Sequence, residues 1–281
     1  MSRLVWLFCL VFISTSVMSL ELEGPRTQGT LLRGNVAPGS EVHLNGDPVA
    51  ITASGYFAVG FGRQAQLSHE LDVVSPDGER ITRAIELEAR EYDIQRVEGV
   101  PQETVTPDEQ ALERIRAEAR RVRAARKEHS KRRDFAGSWI WPVAGTVTGV
   151  YGSQRFYNGE PRQPHYGIDI AAASGTPVAA PAGGRVVLVE PDLYFSGGTL
   201  ILDHGYGVSS TFLHLSAINV SEGDEVRLGD VIGEVGASGR ATGPHLDWRM
   251  NWRQERVDPM TVAPPLVEGA TTMPGAGDSN Q

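Results

Sequence analysis

From Trp139-Ile140-Trp141-Pro142 onward the chain is a succession of short β-branched runs, Gly145 to Tyr151, Gly184 to Val189, Thr199 to Leu202, Val208 to Phe212 and Gly229 to Val235, punctuated by glycine. Glycine inside a helix costs about 1 kcal/mol against alanine. At the turns and bends of a sheet the same residue relieves crowding and permits sharp curvature. The pattern therefore predicts an all-β domain over 138–262, its sheet curved by glycines at the bends.

Upstream, residues 20–90 alternate as short strands broken by turn chemistry. Asn45-Gly46 is a strong two-residue hairpin signal, and Ser75-Pro76-Asp77-Gly78 is another turn. A small, immunoglobulin-like β-sandwich is expected there. A linker over 91–137 carries Thr106-Pro107-Asp108-Glu109, which reads as an N-cap, a proline at the first helical position and a glutamate three residues after the cap. A helix is expected from that point, with one narrow apolar stripe of Leu112, Ile115, Ala119 and Val122. The chain as a whole reads as mainly β.

Arg3 followed by the apolar run Leu4 to Ile13 and the small residues at Val17-Met18-Ser19 predicts a cleaved export signal over 1–19. That run is shorter than the roughly 18 to 20 residues needed to cross a bilayer, so no stable membrane insertion is expected after cleavage. Cys9 is the only cysteine and lies within the run. The mature chain would then hold no thiol, which excludes a disulfide framework and cysteine nucleophiles. The net charge of −9 is uneven, because Arg114 to Arg133 carries ten basic and two acidic side chains. An exported chain this acidic elsewhere is not expected to bind nucleic acid. The basic helix is expected to rest on the acidic domains. The Pro-, Gly-, Ala- and Thr-rich tail, 263–281, is expected to lack order.

The glycine-rich half also holds the side chains that carry chemistry. They fall in His165-Tyr166-Gly167-Ile168-Asp169, Phe212-Leu213-His214-Leu215-Ser216 and Gly243-Pro244-His245-Leu246-Asp247, with His204 in a fourth segment. A catalytic zinc takes about three protein ligands and keeps one open position, drawing on imidazole and carboxylate when thiolates are absent. If residues 244–247 form a strand, His245 and Asp247 share one face and Leu246 points to the core. His204, like His43 and His69 in the N-terminal half, is read as a structural or surface histidine.

The region from Trp141 to Pro259 resembles the lysostaphin- and LytM-type zinc endopeptidases of peptidoglycan. The likeness rests on Gly167-Ile168-Asp169, Gly175-Thr176-Pro177-Val178-Ala179-Ala180, Gly184-Arg185-Val186, His214-Leu215-Ser216, Gly223-Asp224-Glu225-Val226, Gly229-Asp230-Val231-Ile232-Gly233 and Thr242-Gly243-Pro244-His245. It implies the duplicated-hybrid-motif fold and one Zn2+ per chain held by His165 and Asp169. It further implies that His214 and His245 assist the attacking water and the charged intermediate. The substrate would be peptidoglycan, with a D-Ala to diaminopimelate cross-link as the bond cut, in the periplasm or after secretion.

One position departs from the resemblance: where relatives read His-Leu-His, with the second histidine the third zinc ligand, this chain has Asp247. Carboxylate is a legitimate zinc ligand. Two carboxylates and one imidazole leave a divalent ion formally neutral, which predicts a less acidic bound water, a higher pH optimum and a site open to harder ions such as Mn2+. On the motif alone, Asp247→His is expected to keep or raise hydrolysis. A second reading is a catalytically silent wall-binding protein that switches on another hydrolase. A third, a biotinyl- or lipoyl-type carrier, lacks its modifiable residue, since Lys127 and Lys131 are the only lysines and both fall in the expected basic helical segment.

Overall fold

A computed structural model describes residues 20–97, 108–127, 130–157 and 159–265. The expected export signal and the tail beyond residue 265 lie outside the described residues. The strands of the N-terminal half are β1 (Glu21–Glu23), β2 (Leu31–Asn35), β3 (Glu41–Leu44), β4 (Asp47–Val49), β5 (Tyr56–Gly60), β6 (Ser68–Val74) and β7 (Arg80–Glu86). They form two antiparallel sheets, ordered β1-β2-β5 and β4-β3-β6-β7. Alternation places Leu31, Val42, Phe57, Val59, Leu71, Val73 and Ile85 in a shared core. The β3–β4 hairpin turns at Asn45 and Gly46, both at positive φ, the conformation that makes Asn-Gly the preferred pair. Ser75 to Gly78 closes the β6–β7 hairpin, with Ser75 N–H donating to the Glu79 carbonyl.

Next come β8 (Ile94–Val97) and α1 (Glu109–Ala125). The helix begins two residues later than expected. Asp108, not Thr106, is the N-cap, because its carboxylate accepts the Ala111 N–H at 2.8 Å, and Thr106 lies outside the described residues. Val122 and Ala125 pack on Leu188 and Ile201. Around them, Arg114 pairs with Asp192 and Arg121 with Glu190, so the basic helix rests on acidic side chains of the C-terminal half.

That half comprises β9 (Thr146–Gly149), β10 (Gln154–Tyr157), β11 (Glu160–Pro161), β12 (Ile168–Ala171), β13 (Pro177–Ala179), β14 (Gly184–Leu193), β15 (Gly197–Gly205), β16 (Val208–Leu215), β17 (Ala217–Ile218), β18 (Glu225–Val226), β19 (Val231–Glu234), β20 (His245–Trp252) and β21 (Glu255–Val257). The main sheet runs β18-β14-β15-β16-β20-β12-β9, with β21 also on β20, and its pairings are antiparallel. β13, β19 and β17 form a small sheet beside it. β8, expected in a connecting segment, instead pairs in parallel with β10.

One face of the main sheet is core: Ile168, Ile170, Leu246, Trp248, Met250 and Phe212 are buried there, with Trp141 edge-on to Trp248 at 6.1 Å. The same core continues without a break into the N-terminal sheets through Trp252 and Val257. Arg90 bonds Asp258 at 2.6 Å, and Asp258 N–H donates to the Gly29 carbonyl. Residues at odd positions of β20, with their same-face partners on β12 and β16, are therefore left for the opposite face.

Candidate metal centre

Strand register brings the charged residues together. Asp169 of β12 lies directly opposite Asp247 of β20, and Leu213 of β16 flanks Asp247 on the other side. His165 sits just before β12, held by its N–H on the Ser153 carbonyl and by its own carbonyl accepting the Gly152 N–H. Ligand-capable atoms of His165, Asp169 and Asp247 all lie within 4.8 Å of one another. His165 Nε2 and Asp169 Oδ1 are 3.3 Å apart, and both are buried without a hydrogen-bond partner. Two ligands of a tetrahedral zinc at about 2.0–2.2 Å stand at just such a separation. Like charges directly opposite on neighbouring strands are destabilising. A divalent cation would satisfy both orphaned atoms and offset that repulsion, so these residues fit the metal.

Two glycines make the approach sterically feasible. A Cβ at Gly149 would lie 2.2 Å from Asp169 Oδ2, and one at Gly167 would lie 2.6 Å from Asp247 Oδ1. Both positions are occupied by the only residue type that leaves the carboxylates their space.

Asp247 is 2% exposed and has a partner that the sequence reading missed. Arg249, two residues along the same strand face, grips it with Nε on Oδ1 at 2.9 Å and Nη2 on Oδ2 at 2.6 Å. Burial alone would raise the pKa of Asp247, but the Arg249 guanidinium outweighs it and holds the carboxyl below the usual range. The signal was present: extending the strand alternation from Asp247 by two residues reaches Arg249. Around His165 the balance goes the other way. Burial lowers its proton affinity, but Asp169 and Asp247 more than compensate and raise it.

His214 and His245 stand beside this group, their rings 4.8 Å apart, with His245 Nε2 at 3.7 Å from Asp169 Oδ1. His214 Nδ1–H donates to the Ser238 carbonyl and His245 Nδ1–H to the Gly243 carbonyl, both at 2.8 Å, which leaves each Nε2 for other chemistry. Burial lowers the pKa of His214 and favours its neutral form. Its backbone sits at φ +66°, a conformation costly for a non-glycine residue and concentrated at functional positions.

Arg126 and Arg256 extend the positive charge along the same face. Arg126 Nη2 bonds Thr211 Oγ1, opposite Arg249, and Arg256 Nη1 bonds Asn251 Oδ1, both at 3.2 Å. Neither has a carboxylate partner among the described residues. Burial and the neighbouring guanidinium of Arg249 bring Arg256 down to about 10. Arg256 and Tyr166 also line a cavity of about 550 Å³ whose far wall is Phe61, Arg63 and His69 of the N-terminal half.

Three further histidines among the described residues lie elsewhere. His204 is 0% exposed in the core; its Nδ1–H donates to the Gly183 carbonyl at 2.6 Å and its Nε2 accepts from Ser210 Oγ at 2.8 Å. Burial lowers its pKa, so it is a neutral structural residue. His69 bonds Asn45 and the Gln66 carbonyl, and His43 is part of β3.

Residues 163–259 match the family model described as Peptidase family M23. DD-carboxypeptidase/endopeptidase Mpg of Neisseria meningitidis is 43% identical over 104 residues, 37% of this chain and 24% of that protein. Peptidoglycan DD-endopeptidase ShyB of Vibrio cholerae is 35% identical over 109 residues, 39% of this chain and 25% of its own length. The chain thus spans about a quarter of these curated relatives. A crystal structure from Pseudomonas aeruginosa described under peptidase M23 superposes with a TM-score of 0.63 at 28% identity, covering 84% of this chain and 94% of that one.

Proposed function

The chain belongs to peptidase family M23, and on that footing we propose that it is a zinc-dependent endopeptidase that hydrolyses peptide bonds in the stem peptides or cross-links of peptidoglycan. The observation that carries this reading is the convergence of His165, Asp169 and Asp247 on one point, where two buried ligand atoms 3.3 Å apart have no hydrogen-bond partner. His165, Asp169 and Asp247 would hold a divalent ion, which when bound would supply Lewis-acid activation of the scissile carbonyl and of the attacking water. His214 and His245, each oriented through Nδ1–H, present Nε2 to accept a proton from the nucleophile and return it to the leaving amine. In its protonated form either imidazole stabilises the developing oxyanion. Arg256, on the same face and lining the adjoining cavity, suits a substrate rich in carboxylates, as wall peptides are.

The apolar stretch at residues 4–13 supports export to the periplasm. Among the described residues no helix is long and apolar enough to cross a membrane.

Digestion of purified sacculi, with and without chelator and with products identified by mass spectrometry, tests the proposal. Released cross-link fragments that vanish with chelator and return with zinc are expected. The Asp247→Ala variant should neither hold zinc nor release product. A silent wall-binding protein is the second reading, favoured by one observation, the engagement of both Asp247 oxygens by Arg249. It predicts stable binding to sacculi with no product under any metal condition.

A further inference from the structure

We infer that Asp247 and Arg249 work as one unit, with Arg249 the positioning residue that makes a carboxylate equivalent to an imidazole as third metal ligand. The inference rests on the metal-dependent reading above. Arg249 Nε contacts both carboxylate oxygens, at 2.9 Å to Oδ1 and 3.1 Å to Oδ2, and Nη2 adds a second contact to Oδ2, so Oδ1 keeps one of its two lone-pair directions for an ion while the carboxylate's orientation is fixed. Ligating carboxylates ordinarily need such a hydrogen-bonding partner to hold them.

The charge balance points the same way. A divalent ion with Asp169 and Asp247 alone is formally neutral; the guanidinium of Arg249 restores the single positive charge that one carboxylate and two imidazoles would leave. Arg249 also depends on Asp247. Arg126 lies on Thr211, directly across from it, and Arg256 on Asn251, two residues along the same face, so the Asp247 carboxylate is its one hydrogen-bonded anion among the described residues.

The expectation from the motif alone, that Asp247→His keeps or raises activity, therefore reverses. An imidazole at that position leaves a half-buried guanidinium unpaired beside a dication. Only removal of Arg249 in the same molecule relieves it.

Zinc affinity, measured on full-length protein by competition with a chromogenic chelator, tests this independently of hydrolysis, with the melting temperature of each metal-free variant as the folding control. Arg249→Met should weaken zinc binding about 10- to 100-fold, as loss of a ligand's supporting partner commonly does. Asp247→His alone should weaken it about tenfold or more, while Asp247→His with Arg249→Met should regain about that factor. Removal of one guanidinium thus acts in opposite directions in the two backgrounds, which a packing role does not produce. Arg249→Lys serves if the methionine variant does not fold: keeping the charge without the fork, it should weaken zinc binding by less than about tenfold beside Asp247 and give no recovery beside Asp247→His. Shifts of the same sign in both backgrounds, or none in either, overturn the pairing alone. Wild-type protein that takes up no zinc overturns the metal-dependent reading with it.

Discussion

At the scale of single residues, the site depends on what is absent as much as on what is present. Gly149 leaves the space into which the Asp169 carboxylate turns, its missing Cβ being only 2.2 Å from Oδ2. Gly149→Ala should push that oxygen off the site, costing about 1–3 kcal/mol of stability through overpacking and lowering zinc affinity. Zinc titration that gives wild-type affinity for this variant would show that the close approach does not matter. His204 makes a separate prediction. Its buried imidazole has a pKa below the ordinary 6.5, so the unfolded chain binds a proton that the folded one refuses. The stability His204 contributes is therefore complete above pH 6.5 and lost as pH falls toward its folded value, at up to about 1.4 kcal/mol per pH unit. Urea midpoints of wild type and His204→Gln should converge below pH 6.5; a gap that stays constant from pH 8 to pH 5.5 would refute the assignment.

Elements differ in how much they owe to neighbours. Most glycine-punctuated runs read from sequence are strands, but β14, β15 and β16 extend past the predicted ends because the flanking residues find ladder partners. β12 and β20, which hold Asp169 and Asp247, were less legible, β12 only as a motif and β20 only as a conditional strand at 244–247, since their polar positions interrupt the apolar runs. Helix α1 contrasts with them. Its first turns depend on the Asp108 cap, and its anchoring apolar contacts, Val122 and Ala125, lie near the other end. Asp108→Ala should cost about 1 kcal/mol, concentrated in the first turns. Amide exchange should quicken at residues 110–114 and stay unchanged at 122–125. Uniform acceleration along the helix would show instead that it melts as a unit.

For the whole molecule, the two halves are joined by a continuous apolar core and by the Arg90–Asp258 ion pair at its edge. Asp258 is 2% exposed and takes Arg90 from the far side of the junction. Arg90→Met leaves that carboxylate without its cation. The loss should be about 2 kcal/mol, less than for a fully buried pair because Arg90 is partly exposed. Trp139, Trp141, Trp248 and Trp252 all report from the C-terminal half. Their fluorescence transition should fall by several degrees, about 2–4 °C per kcal/mol at this size, together with the loss of exchange protection in β6. Tryptophan melting that is unmoved while β6 loosens would mean that the halves unfold independently.

The sequence by itself determined the β class, the hairpin at Asn45-Gly46 and the family, and it named the five side chains that gather at the candidate centre, because turn chemistry and short motifs are local properties. Register was not local. Only the tertiary structure set Asp169 against Asp247, turned Arg249 onto the same face as their shared site, and sent His204 into the core with both nitrogens satisfied. Side chains far apart in the chain acquire charge partners only when strands align, and that alignment changes Asp247 from an isolated carboxylate into half of an ion pair.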